Sequence, residues 1–552
     1  MASLKINDAT EGKLINLIVS VVVAVTVSLT PWVNSDSLII PKVIILFCSA
    51  MFLLPKFLTN FRPFYKSIDP LLKMSYFVVL CFMCFMILVM SVSKAPFEQE
   101  FYGRTGRGLG LATYLSLAVV LLVSSRYALL SKVNVVHFGL VFSCVISSSY
   151  SILQRHGLDI FDWVTYTNGI IGTLGNPNFQ SSFAAMALVS SLVFLGKSKK
   201  QILITLLILI LLIYTLYITQ STQGYIATAL SISVFMLIFL WYQKKVFFIG
   251  FFTFFIVSSF FAIIGMLDRG PLNYFLYKTS VQSRGEMWRT GISAANDNPI
   301  FGVGLDSYGD YSLLYRDEKT VNGINEFTDN AHNIFIQTAA TGGYILAFIY
   351  LLIVGLTLYS FILLQKKLGK FNRGVAALFS AWIAFQAQSL ISPPNISMLA
   401  WNFLISGFLI GIGFQKTIET NSFSLKDQGF SRPIGYLFLI FSLVVMYPMY
   451  NADKIEWSTK KTGDALVAIK AAKMYPESSL RYFRIGMELY NSKLLEASLD
   501  IGRSAVKFNP NAVSAWFLIL INETAPIEER RIAREQIVRL DPLGTDVDNF
   551  RF

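Results

Sequence analysis

The chain has only three histidines, and one of them stands where proton transfer is useful. His332 belongs to Asp329-Asn330-Ala331-His332-Asn333, a polar run that ends where a long apolar stretch begins. An imidazole with an unperturbed pKa of about 6.5 exchanges protons near neutrality. Asp329, three residues earlier, has the charge to orient it; a helix cap or an interfacial group is the competing reading. His137, early in an apolar span, reads as a packed residue, and His156 lies in a short loop.

Arginines make the second constellation. Arg284 and Arg289 flank Gly285-Glu286-Met287-Trp288, and guanidinium forks match phosphate oxygens. A pair of surface arginines matched to neighbouring acids is the alternative. Arg104 and Arg107 sit in Gly103-Arg104-Thr105-Gly106-Arg107-Gly108, where glycines leave backbone N–H groups open. The run lacks the Gly-Lys-Ser/Thr ending of a Walker loop. Gly172-Thr173-Leu174-Gly175-Asn176-Pro177-Asn178-Phe179 enters a span through a turn, so Asn176 and Asn178 either cap a helix or line a cavity. The cysteines Cys48, Cys81, Cys84 and Cys144 lie in apolar surroundings, which excludes a zinc reading, and no metal or other cofactor is expected.

The elements that must position these residues are membrane helices. Of the 552 residues 54% are hydrophobic and 14% charged, too little polarity for soluble domains of this length. Uncharged stretches of about 17 to 25 residues, the length that spans roughly 30 Å of hydrocarbon, recur along the chain. The reading is an all-α polytopic bundle of 12–13 spans, near 14–31, 38–55, 71–92, 109–124, 133–153, 179–196, 201–218, 225–241, 246–266, 333–364, 374–391, 398–415 and 434–450. The formal charge of +13 sits in short loops between spans, which argues against nucleic acid as a partner.

Those basic loops set the orientation. Lys5 and Lys13, Lys56 to Lys73, Arg126 and Lys132, Lys197 to Lys200, Lys244 and Lys245, Lys366 to Arg373, and Lys416 to Arg432 fall on one side, expected to be cytoplasmic with the N-terminus. The connection 267–332 and the C-terminal tail then lie outside. The connection is too long and mixed in charge for a linker, and its Asn298-Pro299-Ile300-Phe301-Gly302-Val303-Gly304 reads as a turn after a short amphipathic helix near 287–295. The domains are therefore 1–452, in the membrane, and 453–552, a soluble tail. In the tail, Pro476, Pro510 and Pro542 close similar sextets at spacings of 34 and 32 residues, with Tyr482-x2-Ile485-Gly486 and Trp516-x2-Ile519-Leu520 placed alike. That period suits a tetratricopeptide-like helical repeat.

Taken in order, Gly-Thr-Leu-Gly-Asn-Pro-Asn at 172–178, Arg284 with Trp288, the Asn298–Gly304 turn, Ala331-His332-Asn333 and Gly342-Gly343 resemble the superfamily of O-antigen ligases, O-antigen polymerases and bacterial oligosaccharyltransferases, over roughly 70–415. The resemblance implies glycan transfer, without a metal, from an undecaprenyl-pyrophosphate donor to an acceptor hydroxyl at the outer face of the bacterial plasma membrane. It implies Arg284 as a pyrophosphate ligand and His332 as the base. Many members carry a further arginine at the outer end of a middle span, where this chain has Gln220-Ser221-Thr222-Gln223-Gly224. Arg104, Arg107 and Arg289 are the candidates to replace it. Gln223, Asn176, Asn178, Asp329 and Asn333 complete the expected substrate-binding set. The acceptor is a glycan, a lipid or a protein; membrane lipids are partners, and the tail offers a surface for an envelope protein. A transporter or flippase for lipid-linked saccharides is the rival function, and a scaffold explains the tail but not the context of His332 and Arg284.

Overall fold

The computed structural model describes residues 8–159, 161, 170–196, 198–277, 279–318, 328–415 and 431–544, so Lys5, Lys197, Lys416 and Lys426 lie outside the described residues. A helix stands at each of the thirteen expected places: α1 Asp8–Val27, α2 Ile40–Leu58, α3 Pro70–Val92, α4 Leu111–Arg126, α5 Val133–Arg155, α6 Pro177–Ser191, α7 Lys199–Thr219, α8 Thr222–Trp241, α9 Lys245–Met266, α10 Ile334–Leu368, α11 Arg373–Ser389, α12 Ile396–Phe414 and α13 Ser431–Thr462. Nine candidate spans among the described residues, α2, α3, α5, α7 to α10, α12 and α13 with small differences in bounds, are long and apolar enough to cross a membrane; α1 and α4 contribute shorter apolar stretches. The chain is an all-α, multi-pass membrane protein.

Burial sorts the helices. Every residue of α12 is buried, whereas the best apolar window of α9 is wholly unburied, as expected of a core helix and a lipid-facing one. A Cβ at Gly407 would lie 2.1 Å from Ser124 Oγ and one at Gly411 2.3 Å from Ser125 O, so two missing side chains let α12 lie close against α4. At the basic end, Arg126 donates to the carbonyls of Phe57 and Thr59, Lys367 to Gly413 O at 2.7 Å, and Arg373 to Leu195 O at 2.7 Å. The loops that carry the candidate site gather at the opposite end, together with the tail.

Within the 267–332 connection, the helix Thr279–Asp297 is longer than the expected 287–295 and packs along α10. The following turn docks into a break in α10: Val303 N–H donates to Ala340 O at 2.9 Å, Gly304 N–H to Thr341 O at 3.2 Å, and Tyr344 N–H to Pro299 O at 2.8 Å. Gly343 makes that break, with φ +77° inside the helix. A Cβ there would stand 2.1 Å from Ile300 O, and one at Gly302 2.4 Å from Thr341 C, so both positions need glycine for space as well as conformation.

The expected boundary near residue 453 falls inside α13, which runs on to Thr462. Helices α14 Ala465–Ala472, α15 Ser479–Asn491, α16 Leu495–Phe508, α17 Val513–Leu520 and α18 Ile527–Leu540 follow, and successive members pack on one another. The tail rests on the 267–332 connection: Arg316 Nη2 donates to both Asp541 oxygens, at 2.7 and 2.9 Å, Asn509 Nδ2 donates to Asp310 at 3.0 Å, and Asn511 Nδ2 to the Tyr311 hydroxyl at 3.0 Å.

Candidate active site

The Gly103–Gly108 loop leaves the short helix Phe97–Tyr102 through glycines with positive φ and is clamped at both ends by one carboxylate. Asp306 Oδ2 accepts the Arg104 N–H at 2.7 Å and the Leu109 N–H at 3.1 Å. Burial pushes the Asp306 carboxyl up to about 6, against the pull of those two N–H groups. Arg104 pairs with Asp310 at 2.9 Å. A Cβ on Gly309 would lie 2.5 Å from Arg104 Nη1 and 3.2 Å from Asp329 Cα, so both press on the space where Gly309 has no side chain. Arg107 forks Asp329 through Nε at 2.9 Å and Nη2 at 2.7 Å. Burial alone would raise the Asp329 pKa; the Arg107 guanidinium overrides it and holds the carboxylate at about 2.

His332 occupies a left-handed backbone conformation, φ +54°, just before α10. Its N–H donates to Asn330 Oδ1 at 2.8 Å, and its Nδ1 lies 3.1 Å from Asn330 O. A carbonyl oxygen only accepts, so the neutral ring carries its proton on Nδ1 and keeps the lone pair on Nε2. Burial lowers the ring's pKa to about 4; the Asn330 hydrogen bond and Asp329 oppose the fall, while Arg107 and Arg284 add to it. The imidazole is thus neutral at physiological pH, within the field of two guanidinium groups.

Arg284 projects from the helix Thr279–Asp297, its Nε donating to Ile391 O at 2.7 Å. Burial draws its pKa below the ordinary value, a loss of hydration that a bound anion offsets. The same connector, Leu390 to Ser392 between α11 and α12, collects two further expected residues. Asn333 caps α10 with Oδ1, accepting from Phe335 N at 3.0 Å and Ile336 N at 3.2 Å, while its Nδ2 donates to Leu390 O at 3.1 Å. Gln223 Nε2 reaches Ile391 O at 3.5 Å, and its Oε1 accepts from the Ser392 hydroxyl. Asn176 caps α6, and Asn178 Oδ1 accepts from Ser221 at 2.7 Å. Arg289 goes elsewhere, to Asp317 at 2.6 Å on an exposed surface.

Two groups of expected residues therefore come together, Arg104–Arg107–Asp329–His332 and Arg284–Gln223–Asn333, joined through the field at His332. Asn330, Asp306, Asp310, the Leu390 and Ile391 carbonyls and the Ser392 hydroxyl are additions. So is Lys42, wholly buried, whose Nζ donates to Thr173 O; a lysine inside an apolar run was its visible sign. Among the described residues no group of three His, Cys, Asp or Glu side chains is arranged to hold a metal. The arrangement offers a neutral base beside cations suited to phosphate.

A comparison with curated proteins gives no match. The family model of O-antigen ligase matches residues 206–351, a stretch that takes in Gln223, Arg284, the Asn298–Gly304 turn, His332 and the Gly342-Gly343 break. Over that stretch the chain is similar to the O-antigen ligase family.

Proposed function

We propose that the protein transfers a glycan from an undecaprenyl-pyrophosphate carrier to an acceptor hydroxyl on the outer face of the bacterial plasma membrane, without a metal. The acceptor O–H attacks the anomeric carbon, and the bond from that carbon to the pyrophosphate oxygen breaks. The proton passes to His332 Nε2, and undecaprenyl pyrophosphate leaves with the electron pair. Arg284 and Arg107 stabilise the charge that develops on the leaving group. Arg107 takes the place of the arginine absent from the 220–224 segment, and Asp329 holds it there until donor arrives. In this reading the N-terminus is cytoplasmic, and the tail is an extracytoplasmic tetratricopeptide-like domain.

The observation that carries the reading is the state of His332: Nδ1 committed to Asn330 O, and the ring pKa lowered by burial and by Arg107 and Arg284. A flippase for lipid-linked saccharides has no use for a neutral base beside its phosphate ligands. Purified full-length chain, given an undecaprenyl-pyrophosphate oligosaccharide and an envelope extract, is expected to produce a glycan in new covalent linkage and to release undecaprenyl pyrophosphate. Movement of the donor across vesicles with no new linkage contradicts transfer.

A further inference from the structure

The Arg104–Arg107 loop also walls a second space. Between the membrane domain and the start of α15 lies a narrow cleft that opens to solvent at its mouth. Tyr102, Arg104 and Thr105 line one side, and Glu477, Ser478 and Arg481 of the tail line the other. Thr105 and Ser478 share a hydrogen bond of 2.8 Å across the junction.

Its chemistry is opposite to that of the His332 cluster. Asp36, Glu98, Asp453, Glu456 and Glu477 face the cleft against Arg104 and Arg481, with Arg484 paired to Glu456, so acids outnumber bases and a pyrophosphate is disfavoured. Carboxylates accept hydrogen bonds from hydroxyl groups, and serine, threonine and glutamine both donate and accept. The Glu98 side chain makes no hydrogen bond among the described residues. A separate feature also calls for a ligand: Arg481 is 5% exposed, its Nη2 is committed to the carbonyls of Met474 and Pro476, and its Nε has no partner among the described residues. A buried donor left unpaired is costly, and a ligand oxygen satisfies it. Position fits as well. Only Thr105 and Gly106 separate Arg104, which lines the cleft, from Arg107, which holds Asp329 beside His332.

We infer that this cleft binds the acceptor, as an uncharged, hydroxyl-rich saccharide end, with the tail supplying one wall. The inference rests on the transfer reading above and assigns the two substrates to two sides of one loop.

The test uses the full-length chain in detergent and two probes: inorganic pyrophosphate, and the uncharged oligosaccharide fraction released by mild acid from envelopes of the producing cells. Glu98→Gln/Glu477→Gln removes two charges without changing shape, and Glu98→Trp fills the cleft. Saccharide affinity is expected to fall roughly tenfold or more in the first, as charge-assisted hydrogen bonds weaken, and to vanish in the second, with pyrophosphate binding unchanged in both. Arg284→Ala should do the reverse. Transfer by the wild-type chain with saccharide binding indifferent to both variants overturns the cleft alone, as does joint loss of both probes. Saccharide binding without transfer by the wild-type chain overturns the transfer reading and the acceptor role with it.

Discussion

As the proposed base, His332 needs no activation by deprotonation at neutral pH, because burial and two guanidinium groups have already lowered its pKa to about 4. The form that acts is the neutral one, so activity is present above the pKa and lost as pH falls through it. The acid limb of kcat/KM for donor, which reports the free enzyme, is expected near pH 4 instead of near the ordinary histidine value of about 6.5. Bound pyrophosphate brings negative charge to the ring and raises its pKa, so the acid limb of kcat should lie higher; coincident limbs near 6.5 would contradict the assigned environment. Arg284→Ala should weaken donor binding, and Arg284→Lys should restore only part, since an ammonium lacks the fork. Arg289→Ala should keep the wild-type rate. Five residues along one helix turn a side chain by about 140°, so Arg284 and Arg289 do not share a face. That separation was readable once both were placed on one helix; the expected helix began after Arg284. The peptide carbonyls of Leu390 and Ile391 carry no mark in a sequence, and the acids that hold the Arg104–Arg107 loop lie about two hundred residues away, which only the fold brings near.

At the scale of elements, the apolar runs gave the helices their places because length and the absence of charge are what a bilayer demands. What the runs could not give was the backbone join between the 298–304 turn and α10. Its glycines were visible as a motif, but their reason is a close approach of two chain segments distant in sequence. Gly343→Ala adds a side chain at φ +77° against Ile300 O, and is expected to cost about 2 kcal/mol or more, seen as a lower thermal midpoint in detergent with loss of transfer. Gly355 lies in the same helix with nothing near its added Cβ, so Gly355→Ala should leave the midpoint unchanged or raise it. Equal midpoints for the two variants would show that the join does not need its glycine.

At the scale of the molecule, charge in short loops sorts the chain into two ends. The fold agrees internally: Arg126, Lys367 and Arg373 bind carbonyls at one end, and the His332 cluster and tail share the other. Cysteines introduced at Tyr274, 87% exposed, and at Leu466, 79% exposed, should react with an impermeant reagent in intact cells, and one at Lys370 only after the inner face is opened. The reverse pattern inverts the topology. The recurring prolines point to helices in the tail, but nothing in the sequence marks it as a wall of a cleft. Its docking residues Asn509 and Asp541 meet partners on the 267–332 connection that no repeat pattern reveals. Asp541→Asn removes the charge facing the buried Arg316 and is expected to loosen the tail, read as faster proteolysis between α13 and α14 in the full-length chain.

The most direct test of the central claim is single-turnover transfer by folded His332→Ala with preloaded donor, with donor affinity measured separately. The account predicts unchanged affinity and a rate lower by roughly 10² to 10⁴, the usual loss when a general base is removed. A wild-type rate in that variant would contradict His332 as the base and leave the arginines around it without the chemistry assigned to them.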